Sequence, residues 1–189
     1  KRAVELEPLD GWGWHAVAHV MAMQHRRADG VAWLTQDTPA WSERSFFAVH
    51  NWWHLALFRL GLDQIDEVVA LLDQRVLGNA SPLVLDMIDA SALLWRLQLR
   101  GVQDAKQGER WKSLADRWAA VSADSTYAFN DMHAMMAFAG ADRSADGERL
   151  LLAQQRALAA DGDNREFLRD VGIDATRAIH AFAQGRYGD

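Results

Sequence analysis

Two pairs of histidines have the residue types and spacing for chemistry in this chain. His15 and His19 stand four residues apart in one apolar stretch, and His50 and His54 repeat that spacing in a second one. Side chains four residues apart lie on the same face of an α-helix, so each pair directs two imidazoles the same way. Neutral imidazoles in this arrangement can share a transition-metal ion at about 2.1 Å or transfer protons near neutral pH.

Further polar residues lie at the predicted starts of other helices. Two carboxylates follow at i,i+3 spacing, and a second polar group begins a later helix. The predicted site residues are His15, His19, His50, Asn51, His54, Asp86, Asp89, Asn130, Asp131 and His133. In stacked helix pairs the first helices line the concave wall, so we expect these side chains to share one pocket. The tryptophans expected to frame that pocket are Trp14, Trp52, Trp53 and Trp95.

A metal site is the first of three interpretations that these residues leave open. The predicted metal ligands are His15, His19, His50 and His54, and a divalent transition metal is the cofactor they suit. A carboxylate from Asp86, Asp89 or Asp131 could complete the shell. Neither pair contains the glutamate of the His-Glu-x-x-His motif, so the general base of that class of metalloprotease is absent.

The second interpretation is acid–base chemistry, and the third is a structural role. An aspartate such as Asp86 or Asp89 beside His54 or His133 would form a proton-transferring pair. In the structural role the imidazoles form a buried chain of hydrogen bonds, so each ring has a protein partner and no pocket remains. A catalytic or metal site instead requires rings from the two pairs to approach within about 6 Å across an open cavity.

The composition predicts an all-α fold. Half of the 189 residues are apolar, only three are proline, and no segment alternates apolar and polar residues as a half-buried strand does. Helical periodicity predicts helices at 12–25, 28–36, 44–60, 64–77, 83–100, 107–121, 128–139, 144–160 and 164–184. Gly61, Gly101 and Gly140 follow predicted helix ends, where a left-handed residue closes the last turn.

The predicted helices repeat as pairs, which indicates a tetratricopeptide-like α-solenoid of stacked antiparallel helices. Trp53 and Leu57, then Leu60-Gly61, then the apolar run 68–71 follow the rhythm of one such unit. We expect residues 1–189 to form a single helical-repeat domain of four to five pairs, cut from a longer solenoid at both ends. Uncapped terminal helices of such a fragment favour self-association.

Charge and cysteine content exclude several classes of partner. The net charge of −6 and the scattered arginines argue against nucleic acid. Arg59, Asp86 and Arg96 interrupt the longest apolar stretches, so we expect no membrane span. The chain contains no cysteine, which excludes disulfides and thiolate zinc sites and fits a cytoplasmic location.

Four stretches of the chain resemble the tetratricopeptide repeat protein 38 family. They are residues 15–20, 47–57, 89–97 and 129–136, which include all four paired histidines. The sequence departs from that family at His25-Arg26-Arg27, where the family tends to have Gly-Arg-Tyr. The resemblance implies an all-helical repeat fold and a longer parent protein, and it carries no assigned catalytic residue.

The leading functional hypothesis is a binding module. In it the His/Asp/Asn-rich concave pocket holds a small polar molecule or a peptide. The alternative is an enzyme that uses the same pocket, either metal-dependent or with His/Asp acid–base chemistry, of the oxygenase or hydrolase class.

Overall fold

The computed structural model describes residues 1–43, 45–78 and 81–188. Every regular element within these ranges is helical, which confirms the all-α prediction. The helices form two compact units, Lys1–Leu93 and Leu94–Asp189. A search of the described residues found no helix that is both long and apolar enough to cross a membrane.

The first unit is built around two helices that bear the histidine pairs. Its helices are α1 (Arg2–Leu6), α2 (Gly11–Met23), α3 (Arg27–Thr35), α4 (Thr38–Ser42), α5 (Ala48–Gly61), α6 (Ile65–Leu71) and the first part of α7 (Val84–Leu99). A π-helical turn, Leu72–Val76, continues α6. Helix α2 packs against α3 and α5, and α5 packs against α6.

Side-chain caps fix where two of these helices begin. The Asp10 side chain accepts a hydrogen bond from the backbone N–H of Trp12 at 3.1 Å, which starts α2. The Asp37 side chain caps α4 in the same way, and Pro39 in the first turn suits a position whose N–H would have no helical partner.

Apolar residues of α2, α3, α4 and α5 form the core of the first unit. Its largest members are Trp14, Trp41, Leu34, Leu55 and Phe58, each at most 3% exposed. Burial of side chains this size stabilises a fold by about 2 kcal/mol each, so the core fixes α2 and α5 firmly enough to position the residues on their other faces.

The second unit is also built from packed helices. It contains the rest of α7 and then α8 (Gln107–Ala119), α9 (Ala128–Gly140), α10 (Ser144–Ala159), α11 (Arg165–Phe167) and α12 (Ile173–Ala183), with a π-helical turn at Leu168–Gly172 between the last two. Helix α9 packs against α8, α10 and α12. Trp111 and Trp118 of α8 are each 1% exposed in its core.

Each of the nine predicted helices is present, although π-helical turns interrupt those predicted over 64–77 and 164–184 and several ends differ. The helix predicted over 44–60 begins at Ala48, and its predicted first residue, Arg44, lies outside the described residues. The short helix α4 was not predicted, because five residues are too few to show helical periodicity.

The predicted role of two glycines is wrong. Gly101 has φ +72° and closes α7 as expected, but Gly61 and Gly140 lie inside α5 and α9. The left-handed residues that follow those helices are Asp63 and Asp142. At Gly140 a Cβ atom would lie 2.3 Å from the Trp111 ring, so this glycine permits α8 and α9 to approach closely.

Candidate metal centre

The structure brings the two histidine pairs together into one four-histidine cluster. His15 and His19 lie on α2, and His50 and His54 lie on α5. The ring centroids of His15 and His50 are 4.8 Å apart, and those of His19 and His54 are 4.6 Å apart. These distances are within the 6 Å expected of a catalytic or metal site.

Helices α2 and α5 run in the same direction, and this sets the register of the cluster. Near the N-terminus of α2, the Asn51 side-chain N–H donates to the backbone carbonyl of Gly11 at 3.2 Å. One turn further along, His15 faces His50, and after another turn His19 faces His54. Asn51 is fully buried, and this bond holds the two helices together.

The nitrogen atoms of the four rings converge. One ring nitrogen from each histidine lies within 4.8 Å of the others. The Nε2 atoms of His15 and His19 are 2.8 Å apart, which is a hydrogen-bond distance, so a metal ion bound to both atoms would replace the proton between them. Four nitrogens bound to zinc at 2.0–2.1 Å stand about 3.4 Å apart, and rotation of the less buried rings can close the remaining difference.

A buried carboxylate orients one of the four rings. Nδ1 of His50 lies 2.8 Å from Oδ2 of Asp89, which is 2% exposed on α7. Because a carboxylate accepts the hydrogen bond, His50 carries its proton on Nδ1 and keeps the Nε2 lone pair for a ligand. Carboxylate support of this kind is the usual outer shell of a metal-bound histidine.

His54 has a buried nitrogen with no hydrogen-bond partner. The residue is 4% exposed, and its Nε2 atom has no partner among the described residues. A buried polar atom left unsatisfied costs about 1–3 kcal/mol, so proteins rarely retain one without a function. At this nitrogen the chain of hydrogen bonds expected of a structural role is incomplete, whereas His15 and His19 bond to each other and His50 bonds to Asp89.

Burial and repulsion between neighbouring rings lower the pKa values of three of the four histidines. Burial, followed by repulsion from the neighbouring histidines, lowers the pKa of His54 to about 2. The same causes lower the pKa of His15 to about 4, and the pKa of His19 is also lowered. These three rings are therefore neutral at pH 7, which is the state that binds a metal ion.

Burial also raises the pKa of the Asp89 carboxyl, whereas the hydrogen bond from His50 lowers it. Asp86 lies one turn before Asp89 on α7 and repels it, which raises the Asp89 pKa further. Asp86 is 3% exposed, and its Oδ1 atom has no hydrogen-bond partner among the described residues. Among the described residues of the first unit, the aspartate–histidine pair that forms is Asp89 with His50 and not one with the predicted His54. An acid–base pair with His133 stays a prediction.

Aromatic rings surround the cluster, but they are mostly not the predicted ones. The Trp53 ring stacks on His50 at 5.2 Å and 17°. Phe47 lies 4.9 Å from His15, and Trp12 lies 3.9 Å from Phe47. Trp53 is one of the predicted tryptophans. Trp12 stands three residues before His15, so helical spacing could have identified it from the sequence as well.

Two of the predicted frame tryptophans pack in the core of the first unit, and a third belongs to the second unit. Trp14 is buried and donates to the Pro8 carbonyl at 2.8 Å, and Trp52 packs on Trp41 at 4.5 Å in the core of the first unit. Trp95 belongs to the second unit, where its ring lies 5.8 Å from Phe182. The prediction was wrong for Trp14 and Trp52 because neither has helical spacing to a cluster histidine. Trp14 is adjacent to His15 and faces about 100° away from it, and Trp52 is two residues from both His50 and His54 and faces about 200° away.

The remaining predicted site residues belong to the second unit, in α9. Oδ2 of Asp131 accepts hydrogen bonds from Ser125 Oγ at 2.6 Å and Gln154 Nε2 at 3.1 Å. Gln154 Nε2 also donates to Thr176, while its Oε1 atom has no partner. The network links α9, α10 and α12, and burial raises the pKa of Asp131 despite these two bonds.

His133 and Asn130 are placed differently from the cluster histidines. His133 bonds through Nδ1 to the Phe129 carbonyl of its own helix at 2.8 Å. Burial lowers the pKa of His133, and Arg96 lowers it further against that hydrogen bond. Asn130 is half-buried in the first turn of α9. That these residues share one pocket with the four histidines remains a prediction.

Comparison with known proteins does not assign the chain to a family. No protein-family model matches the chain, and no solved structure matches it.

Proposed function

We propose that this chain is a metal-binding helical-repeat protein whose four-histidine cluster holds one divalent transition-metal ion. The observation that carries the proposal is the unpartnered Nε2 of His54, buried beside three other imidazoles. Among common protein ligands, imidazole suits zinc, copper, nickel and iron, and the cluster offers four nitrogens and no thiolate. Calcium and magnesium prefer oxygen ligands, so the donor set disfavours both ions.

Three further features support a metal over a metal-free pocket. The Asp89–His50 hydrogen bond directs the His50 Nε2 lone pair away from the carboxylate. Neutral imidazoles at pH 7 avoid competition between protons and the ion. His19 is exposed whereas His54 is buried, so an ion and its further ligands can enter from the His19 side.

The packing of α2, α3, α5 and α6 supports the tetratricopeptide-like part of the proposal. Helices α2 and α5 are parallel, and α3 packs against both, as first and second helices do in stacked repeats. Gly30 of α3 allows the close approach, since a Cβ there would lie 2.4 Å from the Phe58 ring. In this arrangement the metal lies on the face formed by the first helices.

With four imidazoles bound, a metal ion here would act as a Lewis acid by accepting an oxygen atom of a bound molecule as a fifth ligand. The chain supplies the other requirements. The core of the first unit fixes α2 and α5, Asp89 orients His50, and Trp53 packs against the His50 ring. This use agrees with the hydrolase or oxygenase hypothesis. A metal-free pocket for a polar molecule or peptide is the alternative that a negative metal result would leave.

Metal content measured on protein purified without a histidine tag tests the proposal. We expect about one equivalent of a transition metal after dialysis, and loss of it in the His50→Gln/His54→Gln variant. The matched control is His25→Asn, because His25 is an exposed histidine outside the cluster with φ 57°, a conformation that asparagine tolerates. Less than a tenth of an equivalent in the wild type, before and after incubation with Zn²⁺ or Co²⁺, would refute it.

A further inference from the structure

Two aromatic side chains near the four-histidine cluster are exposed to solvent. Trp12 is 61% exposed and Phe46 is 62% exposed. Both contact Phe47, which is 7% exposed, with ring centroids 3.9 Å and 5.8 Å away. We call Trp12, Phe46 and Phe47 the aromatic rim.

The rim is continuous with the cluster. Phe47 lies 4.9 Å from His15 and 5.4 Å from His50, both with the ring edges directed at a face. Trp12 lies 6.1 Å from His15 at an interplanar angle of 81°. These are the separations at which aromatic rings attract one another, so the rim and the imidazoles form one unbroken surface.

The helix starts hold the rim in place. Trp12 lies in the first turn of α2, fixed by the Asp10 cap on its own backbone N–H. Phe47 immediately precedes α5, and Ser45 caps its backbone N–H at 3.2 Å. The backbone that carries these rings is therefore already ordered before a ligand binds. Binding loses little further conformational entropy of the backbone.

Resting on the proposed function, we infer that the cluster and rim bind a small aromatic molecule whose oxygen-containing group ligates the metal. The exposed faces of Trp12 and Phe46 offer stacking surface for a planar apolar ring. The imidazoles beside them hold the ion that the polar end of the same molecule would reach. A ligand that has only the aromatic ring would contact only the rim, and a ligand that has only the oxygen-containing group would contact only the metal.

Two hydroxamates that differ only in their apolar group test this inference. Acetohydroxamate and benzohydroxamate carry the same metal-chelating oxygens, but only the second has a phenyl ring. We expect Zn²⁺-loaded protein to bind benzohydroxamate about tenfold more tightly than acetohydroxamate, which is the size of one to two aromatic contacts. Isothermal titration measures both dissociation constants.

The Trp12→Ala/Phe46→Ala variant is the critical comparison. Both residues are exposed, so the variant should fold, and we expect it to bind the two hydroxamates equally with unchanged Zn²⁺ and acetohydroxamate affinities. Tyr187→Ala is the matched control, since Tyr187 is a 78% exposed aromatic residue in the second unit. It should keep the tenfold preference.

The possible failures are distinguishable. Absence of Zn²⁺ binding, measured first, would refute the proposed function and this inference together. Zn²⁺ binding without a phenyl preference, or with a preference that the Trp12→Ala/Phe46→Ala variant keeps, would refute only the aromatic ligand. If sedimentation shows that this variant converts a dimer into monomers, the rim is a contact between copies of the chain and the inference is wrong.

Discussion

The two units bury polar side chains in contrasting ways. In the second unit the Asp131 carboxylate receives bonds from Ser125 and Gln154, and His133 bonds to its own helix. In the first unit four imidazoles converge and a buried nitrogen of His54 remains without a partner. The hydrogen-bonded side chains of the second unit hold helices together, whereas four imidazoles with ring nitrogens near one point are what a metal ion requires.

Removing Asp131 should produce the largest change in stability. Asp131→Ala leaves Ser125 without its acceptor and takes one of two acceptors from Gln154, so we expect the free energy of unfolding to fall by about 3 kcal/mol. Zn²⁺ affinity at 25 °C should be unchanged. Urea denaturation of the metal-free protein measures the stability, with exposed Asp124→Ala as the control. A Zn²⁺ affinity that falls with Asp131→Ala would break the distinction between the units.

Asp89→Asn should affect metal binding more than folding. Asparagine retains an acceptor for His50 but removes the charge that makes the imidazole a better ligand, so we expect Zn²⁺ affinity to fall about 10- to 100-fold. Competition with a chromophoric chelator measures the change. Asp86→Asn, one turn away, is the control and should cost less than Asp89→Asn. If both variants lost the same Zn²⁺ affinity, the negative charge on α7 would matter and the hydrogen bond between Asp89 and His50 would not.

The opposite effect is expected at His54. His54→Leu replaces an unsatisfied buried nitrogen by apolar atoms, so metal-free protein should gain about 1 kcal/mol of stability while losing Zn²⁺ binding. Urea denaturation in the presence of EDTA measures the gain. His133→Leu is the comparison from the second unit, and it should lower stability because the bond to Phe129 is lost. A destabilised His54→Leu protein would indicate a structural role for the ring.

Acid should weaken metal-free protein slightly through His15. Its pKa is about 4 in the folded state, against 6.5 for an unperturbed histidine, so the unfolded chain binds more protons between these values. Stability therefore falls as pH decreases from 6.5 to about 4, and the partial exposure of His15 keeps this loss below about 1 kcal/mol. Denaturation of wild type and His15→Gln at pH 7 and pH 5 should show a smaller loss in the variant. A wild-type stability that rises toward pH 5 relative to His15→Gln would contradict the lowered pKa.

The sequence predicted the histidine cluster because helical spacing is a local property. His15 and His19 share one face of α2 whatever surrounds it, and the same holds for His50 and His54 on α5. All nine predicted helices formed for the same reason, although α4 and the π-helical turns within two of them were not predicted. The prediction that the histidine-bearing faces of α2 and α5 meet came instead from the expected stacking of helix pairs.

What the sequence did not predict depends on the rotation and depth of each helix. Asp86 and Asp89 have the same residue type one turn apart, and only the packing of α7 decides that Asp89 contacts His50. Phe46 and Phe47 precede α5, where periodicity gives no information about direction. The resemblance to the tetratricopeptide repeat protein 38 family and the solenoid architecture remain predictions.

X-ray absorption at the zinc edge tests the central claim most directly. For protein loaded with one equivalent of Zn²⁺, the account predicts nitrogen ligands at about 2.0–2.1 Å with the outer-shell scattering of imidazole rings. Four such rings should fit the wild type, and one fewer should fit His19→Ala, the variant of the exposed ligand. A spectrum of oxygen ligands without imidazole scattering would show that the four histidines do not bind the ion.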